Sequence, residues 1–234
     1  MRISIVLPCY NPAQDWVAGV LHQAELLISK LPDYEFQFVI SNDGSTHLDR
    51  SNLHLLTSSK HFIFIDNFKN KGKGAAIRKG CEASTGDIII YTDIDFPFGT
   101  DPIIEIVNLL TINPSCLFVY GSRNKDYFKQ LPFTRKGISK GLMILNNIFL
   151  SKKITDTQAG IKGLKREILP VIQSTRTNTF VFEIELIRKL IKMKICMEKI
   201  EVSASSTIIF TNFSLMILLK EGLNFIKIIS SKSL

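Results

Sequence analysis

Two carboxylates one residue apart, Asp93 and Asp95, follow a run of three isoleucines in Ile88-Ile89-Ile90-Tyr91-Thr92-Asp93-Ile94-Asp95. Oxygens so spaced at a strand end can share a hard divalent cation, Mg2+ or Mn2+, whose other positions go to phosphates and water. The plain alternative is a turn or capping role ahead of a helix at 101–112. In Ser41-Asn42-Asp43-Gly44-Ser45-Thr46, Gly44 permits a tight turn and Asp43 can accept hydrogen bonds from a base or ribose. An ordinary strand-to-helix turn with an N-cap fits that segment equally well. Asn70-Lys71-Gly72-Lys73-Gly74 puts glycines and lysines where a helix begins, a place suited to anions. It has neither the P-loop spacing nor the glycine pattern of a dinucleotide site, and a solvated loop is its alternative.

Positioning these segments takes elements that end where the motifs begin. Apolar runs at 3–7, 36–40, 61–65, 87–91 and 117–120 read as strands. Between them, 13–30, a weaker 48–58, 74–84 and 101–112 read as helices. Strand–helix alternation with continuously apolar strands predicts an α/β fold, a Rossmann-like, mostly parallel sheet covered by helices on both faces. Functional loops then lie at the carboxyl ends of the strands. Further on, 135–150, 166–173 and 180–194 read as helical, and 160–164 and 195–202 as strands. The stretch 213–230 reads as a C-terminal amphipathic helix, with Lys220, Asn224, Lys227 and Ser231 on a narrow polar stripe. That helix either packs on the core or lies on a membrane surface.

The chain has 234 residues, 45% hydrophobic and 21% charged, enough for a sizeable core and too apolar for disorder. Four scattered cysteines make no C-x-x-C pair or disulfide framework, so a reduced, cytosolic protein is expected. The four histidines lack metal-ligand spacing. The N-terminal apolar run is too short for a signal peptide, and no run of about 18 apolar residues predicts a transmembrane helix. The net charge of +8 suits nucleic acid, anionic lipid or a phosphorylated ligand. Its distribution is uneven. Residues 1–122 carry 9 basic and 13 acidic groups, whereas 123–153 carry 8 basic groups against Asp126 alone. No helix-turn-helix, zinc or RNP signature accompanies that basic segment, so no nucleic-acid partner is expected.

Taken in order, S-I-V-L-P-C-Y-N, N-D-G-S-T, N-K-G-K-G and D-I-D resemble the family 2 glycosyltransferases of the GT-A fold. Asp156-Thr157-Gln158-Ala159-Gly160-Ile161-Lys162 is similar to the D-T-Q-C-G-F-K segment of the dolichyl- and polyprenyl-phosphate mannose synthase and glucosyltransferase branch, and Phe182-Glu183-Ile184-Glu185 to its F-D-x-E segment. The chain departs from that pattern at Pro12, Asn42, Ala159, Ile161 and Glu183.

The resemblance implies a metal-dependent, inverting glycosyltransferase, an enzyme that moves a sugar from a UDP- or GDP-sugar to a polyprenyl phosphate. Asp95 would hold the metal, and Asp93 would contact the metal or the ribose. Pro8, Tyr10 and Asp43 would line the nucleotide pocket, with Lys71 or Lys73 offsetting phosphate charge. Arg123, Arg135 and Ser139 would hold the acceptor phosphate. Asp156 and Gln158 would stand near the sugar, Asp156 being the candidate base if the acceptor is a hydroxyl. The domain would run over 1–212, a nucleotide-sugar half at 1–122 and an acceptor half at 123–212, with 213–234 as the amphipathic tail. The expected location is cytoplasmic, peripheral on the inner membrane face, with a membrane-anchoring partner as one means of attachment. The alternatives are a family 2 transferase acting on a saccharide hydroxyl in cell-envelope synthesis, and a non-catalytic sugar-nucleotide-binding subunit.

Overall fold

The computed structural model describes residues 1–130, 136–137, 139, 141, 143, 154, 156–179 and 181–203. The apolar runs become strands β1 (Arg2–Cys9), β2 (Glu35–Asp43), β3 (Phe62–Asn67), β4 (Ile88–Thr92) and β5 (Phe118–Arg123). Helices α1 (Trp16–Lys30), α2 (Leu53–Thr57), α3 (Lys73–Ala83) and α4 (Asp101–Ile112) connect them. After α5 (Lys125–Gln130) come β6 (Ile161–Lys165), a 3-10 turn at Arg166–Ile168, α6 (Leu169–Gln173), α7 (Phe182–Lys192) and β7 (Met197–Val202). The expected helices at 135–150 and 213–230 fall largely or wholly outside the described residues, as does Arg135.

The seven strands form one sheet in the order β3-β2-β1-β4-β6-β5-β7. All neighbouring pairs are parallel except those of β6, which runs antiparallel to both β4 and β5. The sheet thereby crosses the 122/123 boundary without a break. Consecutive isoleucines in β4 serve both faces: Ile88 and Ile90 join the core under α1 and α4, and Ile89 joins the one under α3, α6 and α7. Helices therefore cover both faces, as the apolar runs require. Each such buried side chain contributes about 1.5–3 kcal/mol over leaving it exposed. At Gly163 in β6 a Cβ would lie 2.2 Å from Ile106 Cγ2, so α4 packs tightly on the antiparallel strand.

From β1 the chain adds β2 and β3 on one side and β4 on the other. The crevice at the carboxyl ends of β1 and β4 is thus a topological switch point, the usual ligand position in open α/β sheets. Tyr10 lies just past one strand and Asp93 just past the other. Among the described residues, no helix is long and apolar enough to cross a membrane.

Candidate active site

β4 ends at Thr92 and the chain turns at once, with Phe96 N–H donating to Asp93 O at 2.9 Å. Phe96 adopts φ 46°, a strained value for a bulky residue, and is held there with its ring 3% exposed in the core. The turn presents Asp93 and Asp95. Lys73, the first residue of α3, reaches across to Asp93 with Nζ 2.6 Å from Oδ1. The neighbouring walls pull the Lys73 ammonium down, but Asp93 and Glu183 outweigh them and hold it above its ordinary value. Asp95 is exposed, yet desolvation by the protein beside it, together with the charge of Asp93, pushes its carboxyl up. Among the described residues no group of three or more His, Cys, Asp or Glu gathers elsewhere or here, so this site offers a pair of carboxylates.

Asp43, almost fully buried, accepts N–H from Lys71 (2.9 Å) and from Gly72 (2.7 Å), one on each carboxylate oxygen. Gly72 has φ 105° and Gly44 φ 68°, and a Cβ on Gly44 would meet Asn70 N at 2.5 Å. The turn after β2 and the loop before α3 are therefore one fastened unit. Asp43, expected to face a base or ribose, is first the fastener of the lysine loop. Asn42 serves the same unit: its amide donates to Asp66 and its Oδ1 accepts from Ser45 N and Oγ. Asn11, at φ 44°, accepts N–H from Thr46 and His47, tying the loop after β1 to the same turn. Pro8 is half-buried at the end of β1, and the Tyr10 ring is half exposed beside it. Lys71 is exposed.

Arg123 and Asp156, expected at separate tasks, are each other's partner. Arg123 donates from Nε to Oδ2 (2.7 Å), from Nη2 to Oδ1 (2.8 Å) and from its backbone N–H to Oδ2 (2.9 Å). Gln158 N–H adds a fourth donor at 3.0 Å. The guanidinium also lies over Tyr127 and Phe128, 5.3 and 5.4 Å from the ring centroids. Burial works to raise the Asp156 carboxyl, and the hydrogen bonds and charge of Arg123 overcome it, leaving the group below the usual carboxylate range. A carboxylate so held is a weak proton acceptor. Gln158 is half-buried and its amide donates to Thr157 Oγ1. Ser139 is buried; Arg135, expected to pair with it, lies outside the described residues.

Sequence reasoning missed the ionic supports beneath this surface. Lys162, fully buried in β6, donates to Thr157 O at 2.7 Å and to Ala159 O, and meets Glu183 Oε1 of α7 as an ion pair at 2.8 Å. Burial pushes the Lys162 ammonium down and the Glu183 carboxyl up, and the partner's charge opposes each push. Glu185 accepts N–H from Arg176 and Thr177, while Arg78 donates to Thr175 Oγ1, Thr177 O and Asn178 Oδ1. Asn178 O in turn receives Gly74 N–H at 2.9 Å, bracing the start of α3. The available signal was charge within apolar runs, Ile161-Lys162-Gly163-Leu164 and Phe182-Glu183-Ile184-Glu185, because a charged residue is rarely fully buried without a partner.

The 157–160 turn lies directly against Asp93. A Cβ on Gly160 would lie 2.3 Å from Asp93 Oδ2. Gly160→Ala is therefore expected to push Asp93 off Lys73. The atom it strikes ends a movable side chain, so the expected stability cost is only about 1 kcal/mol or less. Thermal melts would check this: a midpoint lowered by no more than about 2–4 °C.

The glycosyl transferase family 2 model matches residues 4–172. A dolichol-phosphate mannosyltransferase of Pyrococcus furiosus is 26% identical over 204 residues, covering 83% of this chain and 53% of that protein. A dolichyl-phosphate beta-glucosyltransferase of Trichomonas vaginalis is 31% identical over 180 residues, covering 70% and 52%. The chain thus spans about half the length of these curated relatives. Among solved structures, mannosyl-3-phosphoglycerate synthase from Rubrobacter xylanophilus superposes with a TM-score of 0.71 at 17% identity, covering 98% of this chain and 73% of that one. Glucosyl-3-phosphoglycerate synthase from Mycobacterium tuberculosis, in complex with Mn2+, uridine diphosphate and phosphoglyceric acid, gives 0.68 at 18% identity, covering 97% and 76%. At these identities the likeness is one of fold.

Proposed function

Because this chain belongs to glycosyl transferase family 2, we propose that it moves a sugar from a UDP- or GDP-sugar to a polyprenyl phosphate, with inversion, at the cytoplasmic face of a membrane. The observation that carries the choice of acceptor is the binding of Asp156 by four donors. A hydroxyl acceptor needs a carboxylate base, and the candidate base, with four donors on its oxygens, accepts a proton only weakly. A lipid phosphate is already an anion and needs positioning and charge compensation, which arginine supplies. The dolichyl-phosphate transferases among the relatives support the same acceptor.

The donor set suits a divalent cation shared with substrate: two carboxylates, one of them with its carboxyl pushed up beside the other. Asp93 and Asp95 would hold Mg2+ or Mn2+, which when bound neutralises the leaving nucleoside diphosphate. The Mn2+ bound with uridine diphosphate in the mycobacterial synthase supports that choice. Pro8, Tyr10 and the unit fastened by Asp43 form the nucleotide side, and Lys71 offsets phosphate charge. The acceptor phosphate is assigned to Arg135 and Ser139, with Arg123, whose charge Asp156 already balances, as a positioning group, and Gln158 is assigned to the sugar. Residues 1–122 then act as the donor half and 123–212 as the acceptor half. Attachment to the membrane falls to the basic segment, the 213–234 tail or an anchoring partner.

The test is transfer from radiolabelled UDP-glucose and GDP-mannose to polyprenyl phosphate in detergent. Label is expected in lipid product with one of these donors, falling to background when the metal is chelated. Transfer to a saccharide instead, or to no acceptor with any donor, would overturn the reading.

A further inference from the structure

We propose that Lys73 is a tethered cation that occupies Asp93 until a donor diphosphate draws it away, so that divalent metal and nucleotide load together. The inference rests on the proposed donor site and deepens it. Lys73 Nζ lies 2.6 Å from Asp93 Oδ1, and the other oxygen of that carboxylate abuts Gly160. A cation shared by Asp93 and Asp95 must use a carboxylate already holding an ammonium, and two cations on one carboxylate repel.

The backbone of Lys73 cannot follow its side chain. Asp43 fixes the N–H groups of Lys71 and Gly72, and Gly74 N–H is bound to Asn178 O. The stem is flexible and the pair is not sealed: the side chains of Lys73 and Asp93 are 19% and 37% exposed beside the carboxyl end of β4. A diphosphate arriving there offers the ammonium a more highly charged partner than one carboxylate. Lysine is suited to the exchange, being a point charge on four rotatable carbons with donors in three directions. Once Lys73 has moved to the phosphates, Asp93 is free for the metal. Coupling of this kind is reciprocal, so each ligand raises the affinity of the other.

The experiment measures Mn2+ affinity by calorimetry for the wild type and Lys73→Met, each with and without UDP and GDP. The nucleotide-free arm is decisive, because a diphosphate binds metal on its own account. Lys73→Met is expected to bind Mn2+ about five- to tenfold more tightly than wild type without nucleotide, and to bind the nucleoside diphosphate more weakly. Its metal–nucleotide coupling is expected to shrink accordingly. Unchanged nucleotide-free affinity would make Lys73 a phosphate contact only, and weakened affinity would make it a support for Asp93; either result overturns the proposal. Mn2+ bound by neither protein under any condition overturns the donor-site reading along with it, whereas failure of lipid transfer alone leaves the metal data intact. Lys73→Gln, which keeps a hydrogen bond to Asp93 without the charge, gives the same readout if Lys73→Met does not fold.

Discussion

Asp95→Asn is expected to lower sugar transfer by about a hundred- to a thousandfold while leaving the fold intact, the size of effect seen when one charge-stabilising group is taken from a transition state. The substitution keeps the shape of the side chain and removes its charge. Asp95 reaches solvent, and desolvation and the charge of Asp93 already work against its ionisation. A neutral amide therefore costs the apo fold nothing and relieves a like-charge contact, so the melting temperature should hold or rise slightly. Activity moves the other way on the proposed donor site, because the cation that Asp93 and Asp95 would hold is what meets the charge developing on the leaving diphosphate. The paired measurement is kcat with saturating metal and the thermal midpoint of the same preparation. Near-wild-type turnover would remove Asp95 from the reaction and leave the turn after β4 as a structural feature.

That turn was legible in the sequence because its position, directly after a continuously apolar strand, follows from the geometry of parallel sheets. The same logic located the Asp43 turn and the lysine loop. It did not disclose that Asp43 joins them, since hydrogen bonds across 28 and 29 residues leave no local pattern. The 48–58 helix shrinks to Leu53–Thr57, because Asp49 accepts from Ser51 N and Oγ and diverts the backbone into a turn. The strand expected at 117–120 runs on to Arg123, carrying that residue into the sheet. The strand at 160–164 was legible as a strand, but its direction was not: Ile161–Lys165 has the same alternation whether parallel or antiparallel. Its insertion between β4 and β5 decides the site, because it brings the 157–160 turn against Asp93 and sets Asp156 beside Arg123.

Three oppositely charged pairs thus gather around β4, β6 and the loops beside them: Lys73–Asp93, Arg123–Asp156 and Lys162–Glu183. They differ in burial, and burial determines what each does. The first is partly exposed, which is what the proposed exchange of partners requires. The second is nearly closed and fixes an arginine at the expected acceptor side. The third is sealed and acts as a foundation.

Lys162→Met is expected to destabilise the protein by about 3–5 kcal/mol, because it strands Glu183 as an uncompensated charge in the core. For a chain of this size that corresponds to a fall in melting temperature of about 6–20 °C. Adding Glu183→Gln removes the stranded charge and should recover most of the loss. Recovery should stop short of wild type, because Thr157 O and Ala159 O lose the Lys162 ammonium in either variant, about 1–3 kcal/mol for buried acceptors left unmet. Those carbonyls belong to the turn that carries Gly160 against Asp93. The double variant should therefore regain stability without regaining transfer, with kcat at least tenfold down at a temperature where it is fully folded. A double variant restored in both would make the buried pair a stability device alone. One restored in neither would mean that the two carbonyl bonds, rather than the charge of Glu183, dominate the energetics of β6.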